Sequence, residues 1–304
     1  MTKILRGVAA ACVLAGVAGL SMAGPVILGG DDLTDHGSRS AGGVNLEGWL
    51  YIEKAVSNVL SGVTRSGAIT TNIVALGSAA NPTFTASNAG GAIGSAANVL
   101  GKTVTYIDGG SAINQFFTDL AAGAINPSML WFAGTGASND LDASEGLALT
   151  ANATAINAFG ASGGGIMAHG SGSDAYGWLS ALLPGLTESF GCTSTGATLT
   201  AAGNAAFPGL SNSDVDANAG PCHSSFTGNF GGLTTLAFDG ATTPRSYIIG
   251  GGAGTIIQCG QPGQPPCNNN QVPEPSSVLL IAIAGLGLVA QLRRRQSKSG
   301  KTTT

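Results

Sequence analysis

Short apolar runs, stopped by glycine or aspartate and separated by segments of helical periodicity, constrain this chain more than any other feature. They fall at residues 25–28, 69–76, 103–107, 128–132 and 165–168. Runs of this length closed by Gly29-Gly30, Gly77, Asp108-Gly109-Gly110 and Gly134 read as strands. Between them, Leu46, Leu50, Ala55 and Val59, with Trp49 and Ile52, recur at helical spacing, and Asn45 is the expected N-cap. A second helix is expected around residues 94–100. A third is capped by Ser111 and runs through Phe116, Phe117 and Leu120. A fourth spans 147–159, and a short one at 176–183 is stopped by Pro184-Gly185. Strands alternating with helices predict an α/β fold, with a doubly wound, mostly parallel sheet covered on both faces. Beyond Glu188 the pattern changes to short β-like runs at 197–200, 233–238, 247–249 and 255–258, expected as C-terminal hairpins and edge strands of the same domain.

The two ends do not belong to that fold. Lys3 and Arg6 precede an apolar run over residues 8–20, and Ser21-Met22-Ala23 supplies a small-x-small cleavage site, so residues 1–23 read as a secretory signal peptide. At the other end, Pro273-Glu274-Pro275 is followed by an apolar segment at 278–292 and then Arg293-Arg294-Arg295. The uninterrupted run, 278–290, is shorter than the roughly 17–25 residues of an ordinary membrane span, but Leu292 extends it and the arginines can snorkel to headgroups. Cations prefer the cytoplasmic side, so the cluster places everything before Pro273 outside the inner membrane. Residues 260–272, rich in Pro, Gln and Asn, read as a linker, which leaves 24–259 as the folded body.

The order Pro-Glu-Pro, apolar helix, arginine cluster resembles the PEP-CTERM sorting signal of Gram-negative bacteria. The resemblance implies an exosortase as partner, transient anchoring in the inner membrane, and delivery to the cell surface or the exopolysaccharide matrix, a biofilm setting. The plainer alternative is an ordinary tail anchor.

Charge and cysteine usage fit export. Residues 24–272 carry five basic and fifteen acidic side chains, a net of −10. Such a surface repels phosphate backbones, so no nucleic-acid partner is expected. Cys192, Cys222, Cys259 and Cys267 remain after the leader, and four cysteines allow three pairings. Cys192–Cys222 and Cys259–Cys267 each close a compact loop rich in turn formers and are the expected bonds. No C-x-x-C pair supports a zinc site.

The helix ending at Phe159, the stretch Gly163-Gly164-Gly165-Ile166-Met167-Ala168-His169 and Phe207-Pro208-Gly209-Leu210 resemble the class I glutamine amidotransferase-like fold, in its trehalose-utilisation-type branch. The resemblance implies a flavodoxin- or amidotransferase-like sheet. It does not carry the chemistry over, because amidotransferases place a catalytic cysteine at the turn after a central strand. Here the turn holds His169-Gly170-Ser171-Gly172, and imidazole does not replace an acyl-accepting thiolate.

In a doubly wound sheet, ligands sit beyond the carboxyl ends of the strands. Asp31 and Asp32, Asp108, Asn139 and Asp140, and His169 fall at such ends, with His36 on the first loop. This is the candidate ligand crevice, suited to a divalent cation or a sugar, although loops after strands are polar in any case. Gly160-Ala161-Ser162-Gly163-Gly164 matches G-x-S-x-G, but a helix precedes it and a strand follows, the reverse of a nucleophile elbow. Asp174 or Asp214 with His223 would complete a triad in chain order. Asp214, Asp216 and Asn218 begin like a calcium loop, yet Gly220 comes one place late and no glutamate closes it. His223 is expected to cap or pack against the Cys222 bridge. The pairs Gly134/Gly136 and Gly170/Gly172 lack the full phosphate fingerprint, and no cofactor is expected.

The sequence therefore predicts an exported, exosortase-sorted envelope or matrix protein without catalytic residues, acting through interaction. The alternative is a secreted hydrolase or metal-dependent enzyme acting on matrix polysaccharide at the crevice.

Overall fold

The computed structural model describes residues 24–134, 141–217 and 220–251. In chain order these form β1 (Val26–Gly29), β2 (Gly37–Arg39), β3 (Asn45–Glu47), α1 (Gly48–Ser61), β4 (Asn72–Leu76), α2 (Ala89–Val99), β5 (Thr103–Ile107), α3 (Gly110–Ala121) and β6 (Met129–Phe132). There follow α4 (Ala143–Ala151), α5 (Ala153–Ala161), β7 (Gly165–Ala168), α6 (Gly172–Tyr176), α7 (Leu179–Leu182), β8 (Leu186–Phe190) and β9 (Thr198–Leu199). The chain continues with α8 (Ala201–Ala206), α9 (Asn212–Val215), β10 (Ser224–Gly228), β11 (Thr234–Phe238) and β12 (Ser246–Gly251).

Among the described residues ten strands form one sheet, with β2 and β3 as a separate hairpin. Its centre, β5-β4-β6-β7-β1, is parallel throughout. β12, β10 and β8 extend it antiparallel, and β11 pairs with both β12 and β9. The expected α/β class and parallel core are thus observed. Every residue of β1, β6 and β7 is buried, whereas the edge strand β5 alternates between exposed and half-buried positions. Helices on both faces explain the continuous apolar runs of the inner strands. Full burial of each Ile, Leu or Met contributes about 1.5–3 kcal/mol.

The strand order decides which loops meet. The chain moves in one direction across the sheet from β1 to β4 to β5, and in the other from β5 to β6 to β7. Right-handed crossovers then put α1 and α2 on one face and α3, α4 and α5 on the other. Accordingly α1 packs on α2 and α3 on α4. The parallel register Val26↔Ile166 and Leu28↔Ala168 brings the loop after β1 beside the loop after β7.

Several local expectations are corrected. Asn45 does not cap α1. It is a buried β3 residue whose amide donates to Glu53 Oε2 (3.0 Å) and whose Oδ1 accepts from Ser95, and Glu47 holds the N-cap position with φ 57° and ψ −131°. Ser111 lies inside α3, which begins after Gly109 (φ 93°). The single helix expected at 147–159 is two. Asn152 turns its amide back onto the Ala148 carbonyl (2.8 Å) and interrupts the ladder between α4 and α5. The helix expected at 176–183 is likewise the two short pieces α6 and α7, and the polar loop after β1 contains the β2–β3 hairpin. Of the run at 69–76, Ile69 makes only an isolated bridge to Pro127, and the strand begins at Asn72. Of the run at 197–200, Thr198–Leu199 form β9 as expected, and Thr200 caps α8.

The expected leader, strand 255–258, Cys259–Cys267 pair, linker and sorting segment, with Asn139, Asp140 and Asn218, lie outside the described residues. No helix among those residues is long and apolar enough to cross a membrane.

Candidate functional site

The chain has three histidines, and all three contact the tandem acids Asp31 and Asp32 beyond the carboxyl end of β1. Gly29 and Gly30 make this geometry available. A Cβ on Gly29 would stand 1.6 Å from Asp31 Oδ2, and one on Gly30 would stand 2.0 Å from the Ser224 carbonyl oxygen. With no side chains there, segment 30–32 zips onto 221–224. His223 N and Ser224 N donate to Gly30 O at 2.8 and 3.0 Å, and Asp32 N donates to Pro221 O at 2.9 Å.

Two tiers result, because consecutive side chains point opposite ways. The inner tier is sealed. Asp31 and His169 are both 0% exposed, with Asp31 Oδ1 2.8 Å from His169 Nδ1. Trp131 Nε1 donates to His169 Nε2 at 3.1 Å. An indole nitrogen only donates, so Nε2 must accept, and the imidazole proton sits on Nδ1 facing Asp31. Asp31 Oδ1 also accepts from Leu33 N (3.2 Å), while Oδ2 has no hydrogen-bond partner. Tyr176, at the end of α6, closes the strand ends from above. Its hydroxyl donates to the Gly29 carbonyl at 2.7 Å and lies 3.3 Å from that of Ala168. Tyr51 stands edge-on to His169 at 6.2 Å. Burial, and next the charge of Asp31, pushes the hydroxyls of Tyr51, Tyr176 and Tyr247 well above the ordinary tyrosine value.

The outer tier reaches solvent. Asp32 Oδ2 is 2.7 Å from His223 Nε2, and Oδ1 is 3.3 Å from His36 Nε2. The His223 side chain is 42% exposed, against 13% for Asp32. Burial pushes the Asp32 carboxyl up, but its contacts with His223 and His36 outweigh this and hold it below the usual range. The contact with Asp32 raises both imidazoles against the opposing effect of burial. One carboxylate thus orients two imidazoles, and that of His223 presents a face to water. Such a pair can exchange a proton with a bound molecule. Among the described residues no group of three or more His, Cys, Asp or Glu side chains is arranged to hold a metal ion.

The remaining candidates lie elsewhere. Asp108 is exposed at the end of β5, four strand positions or about 19 Å from β1. Ser162 follows α5 and precedes β7, at the amino end of the sheet. Its hydroxyl donates to Phe159 O (2.7 Å) and meets the Arg65 guanidinium, far from any histidine. Asp214 completes a capping box with Ser211 at α9, and Asp216 Oδ1 accepts from Gly196 N and Ala197 N (2.8 and 3.1 Å). Both carboxylates therefore serve local backbone. Cys192 and Cys222 form a disulfide with Cα atoms 5.9 Å apart, so neither is a free thiol. His223, next to the bridge in sequence, turns its Nε2 to Asp32.

The tyrosines and Trp131 come from elements whose sequence reads simply as core, and nothing local marks them as neighbours of Asp31. The signal that could have exposed His223 is the scarcity of histidine itself, three in 304 residues.

A family model for the PEP-CTERM protein-sorting motif matches residues 271–295. The motif implies processing by an exosortase-type enzyme and an exported protein anchored transiently by its C-terminus. No curated protein and no solved structure matches the chain.

Proposed function

We propose that the body, residues 24–259, is a non-catalytic interaction module of the cell envelope or extracellular matrix, delivered there when an exosortase processes the tail from Pro273 onward. The observation that carries this reading is the self-contained inner tier. Asp31 and His169 are fully buried and face each other and Trp131, with no approach for a substrate. Among the described residues the cysteines are joined in a disulfide, and Ser162, the serine of the G-x-S-x-G match, is remote from the histidines. The net charge of −10 over residues 24–272 suits a soluble exterior rather than a polyanion-binding one.

A second reading, a secreted hydrolase of matrix polysaccharide, is favoured by one feature. The Asp32–His223 pair is partly exposed and built like a general base with its orienting carboxylate. One experiment separates the two. The exported protein, recovered from the cell surface, is incubated with matrix polysaccharide and reducing ends are counted. The interaction reading expects the protein to co-sediment with the matrix and release none. Release of reducing ends that His223→Ala abolishes would establish the hydrolase instead. Protein found free in the medium, bound to nothing, would sink the interaction reading.

A further inference from the structure

We propose that the cleft between α6–α7 and β8 binds an uncharged carbohydrate, with Phe190 as its stacking platform; this rests on the interaction reading above and names its ligand class. The cleft is built in two layers. Tyr176, Leu179 and Leu186, all buried, supply an apolar floor, and Ser173 and Ser180, both exposed, put hydroxyls on its rim. Glu188 stands between floor and rim. Its Oε1 accepts the Gly172 amide at 3.1 Å, which fastens β8 to the turn after β7 and leaves the second oxygen for a ligand hydroxyl. Among the described residues no lysine or arginine lines the cleft.

β8 continues this wall outward. Side chains alternate along a strand, so Leu186, Glu188 and Phe190 share one face. Along that face exposure rises from buried Leu186 through half-buried Glu188 to Phe190, which is 81% exposed and the most exposed large apolar side chain among the described residues. Phe190 lies just beyond the lining of the cleft, its Cα about 7 Å along the strand from that of Glu188.

The occupant follows from chemistry. A pyranose has one face of C–H groups and an equatorial belt of hydroxyls. The C–H groups, slightly positive, match the negative face of an aromatic ring. The belt matches serine hydroxyls and a carboxylate acceptor. An acidic polysaccharide is disfavoured, because Glu188 would face its carboxylates with no cation to offset them. A lysine-rich peptide would satisfy Glu188 but leave the hydroxyl rim unused, which favours the sugar.

The test uses the full chain, purified in detergent, and four probes in a direct binding titration: cellohexaose, chitohexaose, polygalacturonate and oligolysine. A neutral hexasaccharide is expected to bind. Phe190→Ala should weaken it at least tenfold and Glu188→Gln roughly threefold or more, with Leu147→Ala, an exposed leucine on α4, as the unchanged control. Phe190 is exposed, so its variant should melt as the parent does, which keeps loss of binding distinct from loss of fold. The proposal is overturned if both variants bind as the parent, if only polygalacturonate binds, or if oligolysine alone occupies the cleft. Failure of every probe while the protein still co-sediments with the matrix refutes this ligand assignment alone, whereas loss of co-sedimentation refutes the broader reading.

Discussion

Asp31 and Asp32 are neighbours in sequence with opposite energetic roles. Asp31 belongs to a buried hydrogen-bonded pair, and removing it leaves the His169 Nδ1–H without an acceptor, at about 1–3 kcal/mol. For a domain of this size each kcal/mol moves Tm by about 2–4 °C. Asp31→Ala should therefore lower Tm by roughly 5 °C, and an unchanged melting curve would refute the sealed inner tier. Asp32 instead governs a pH response, in which Asp31 and Asp35 also face His223. His36 and His223 are raised in the fold, so their stabilisation is fully present below the ordinary histidine value of 6.5 and is lost as pH rises through the folded values. Asp32 is lowered, so its share is present above the ordinary 3.8 and lost as pH falls through its folded value. The window in which all three contribute is between those limits. The His36→Gln, His223→Gln double variant should melt lower than the parent at pH 5.5 and equally at pH 8.5. The gap should be on the order of 1 kcal/mol or less per pair, because His223 is partly screened by water. A gap independent of pH would count against the pairing.

At the scale of elements, the legibility of the sequence follows burial. β1, β6 and β7 were readable because a strand covered on both faces has to be apolar throughout, and Gly29-Gly30 marked where the first one stops. From those ends the loop positions of Asp31, Asp32, His36 and His169 could be placed before their partners were known. Helix starts were less readable. Ser111 and Asn45 are good caps by residue type, yet Asn45 is committed to Glu53 and Ser95, and Gly109 instead occupies the α3 cap position, where its amide meets Glu145 Oε1 at 2.6 Å. The contact of His223 with Asp32 is not legible in the sequence because β10 pairs with β8 and β12 across long stretches of chain, a register that no local pattern fixes. The Gly30 approach is the element-scale joint. Gly30→Ala would drive a methyl into the Ser224 carbonyl at 2.0 Å, where backbone has to move. The expected result is a loss above about 3 kcal/mol, at the severe end for a single substitution. It should be accompanied by faster hydrogen exchange at His223 and Ser224, whose amides bond to Gly30; protection there at parental levels would contradict the zipper.

The whole molecule separates address from architecture, and the two can be broken one at a time. The Cys192–Cys222 bond closes a 30-residue separation and ties the end of β8 to the start of β10, directly beside His223. Closing a loop of that length stabilises by about 3–4 kcal/mol in the chain-entropy picture. Cys192→Ser with Cys222→Ser should lower Tm by roughly 10 °C, and because sorting is read from residues 271–295, it should leave processing of the tail intact. Neutralising Arg293, Arg294 and Arg295 should do the reverse. The body would melt unchanged, while the protein accumulates with its tail attached, seen by mass spectrometry as an intact terminus beyond Pro273. Clustered cations favour the cytoplasmic side of a membrane, and the neutral variant would lose that bias. Normal tail removal in the neutral variant would show that the arginines are dispensable, and a shifted Tm would show that tail and body are not independent.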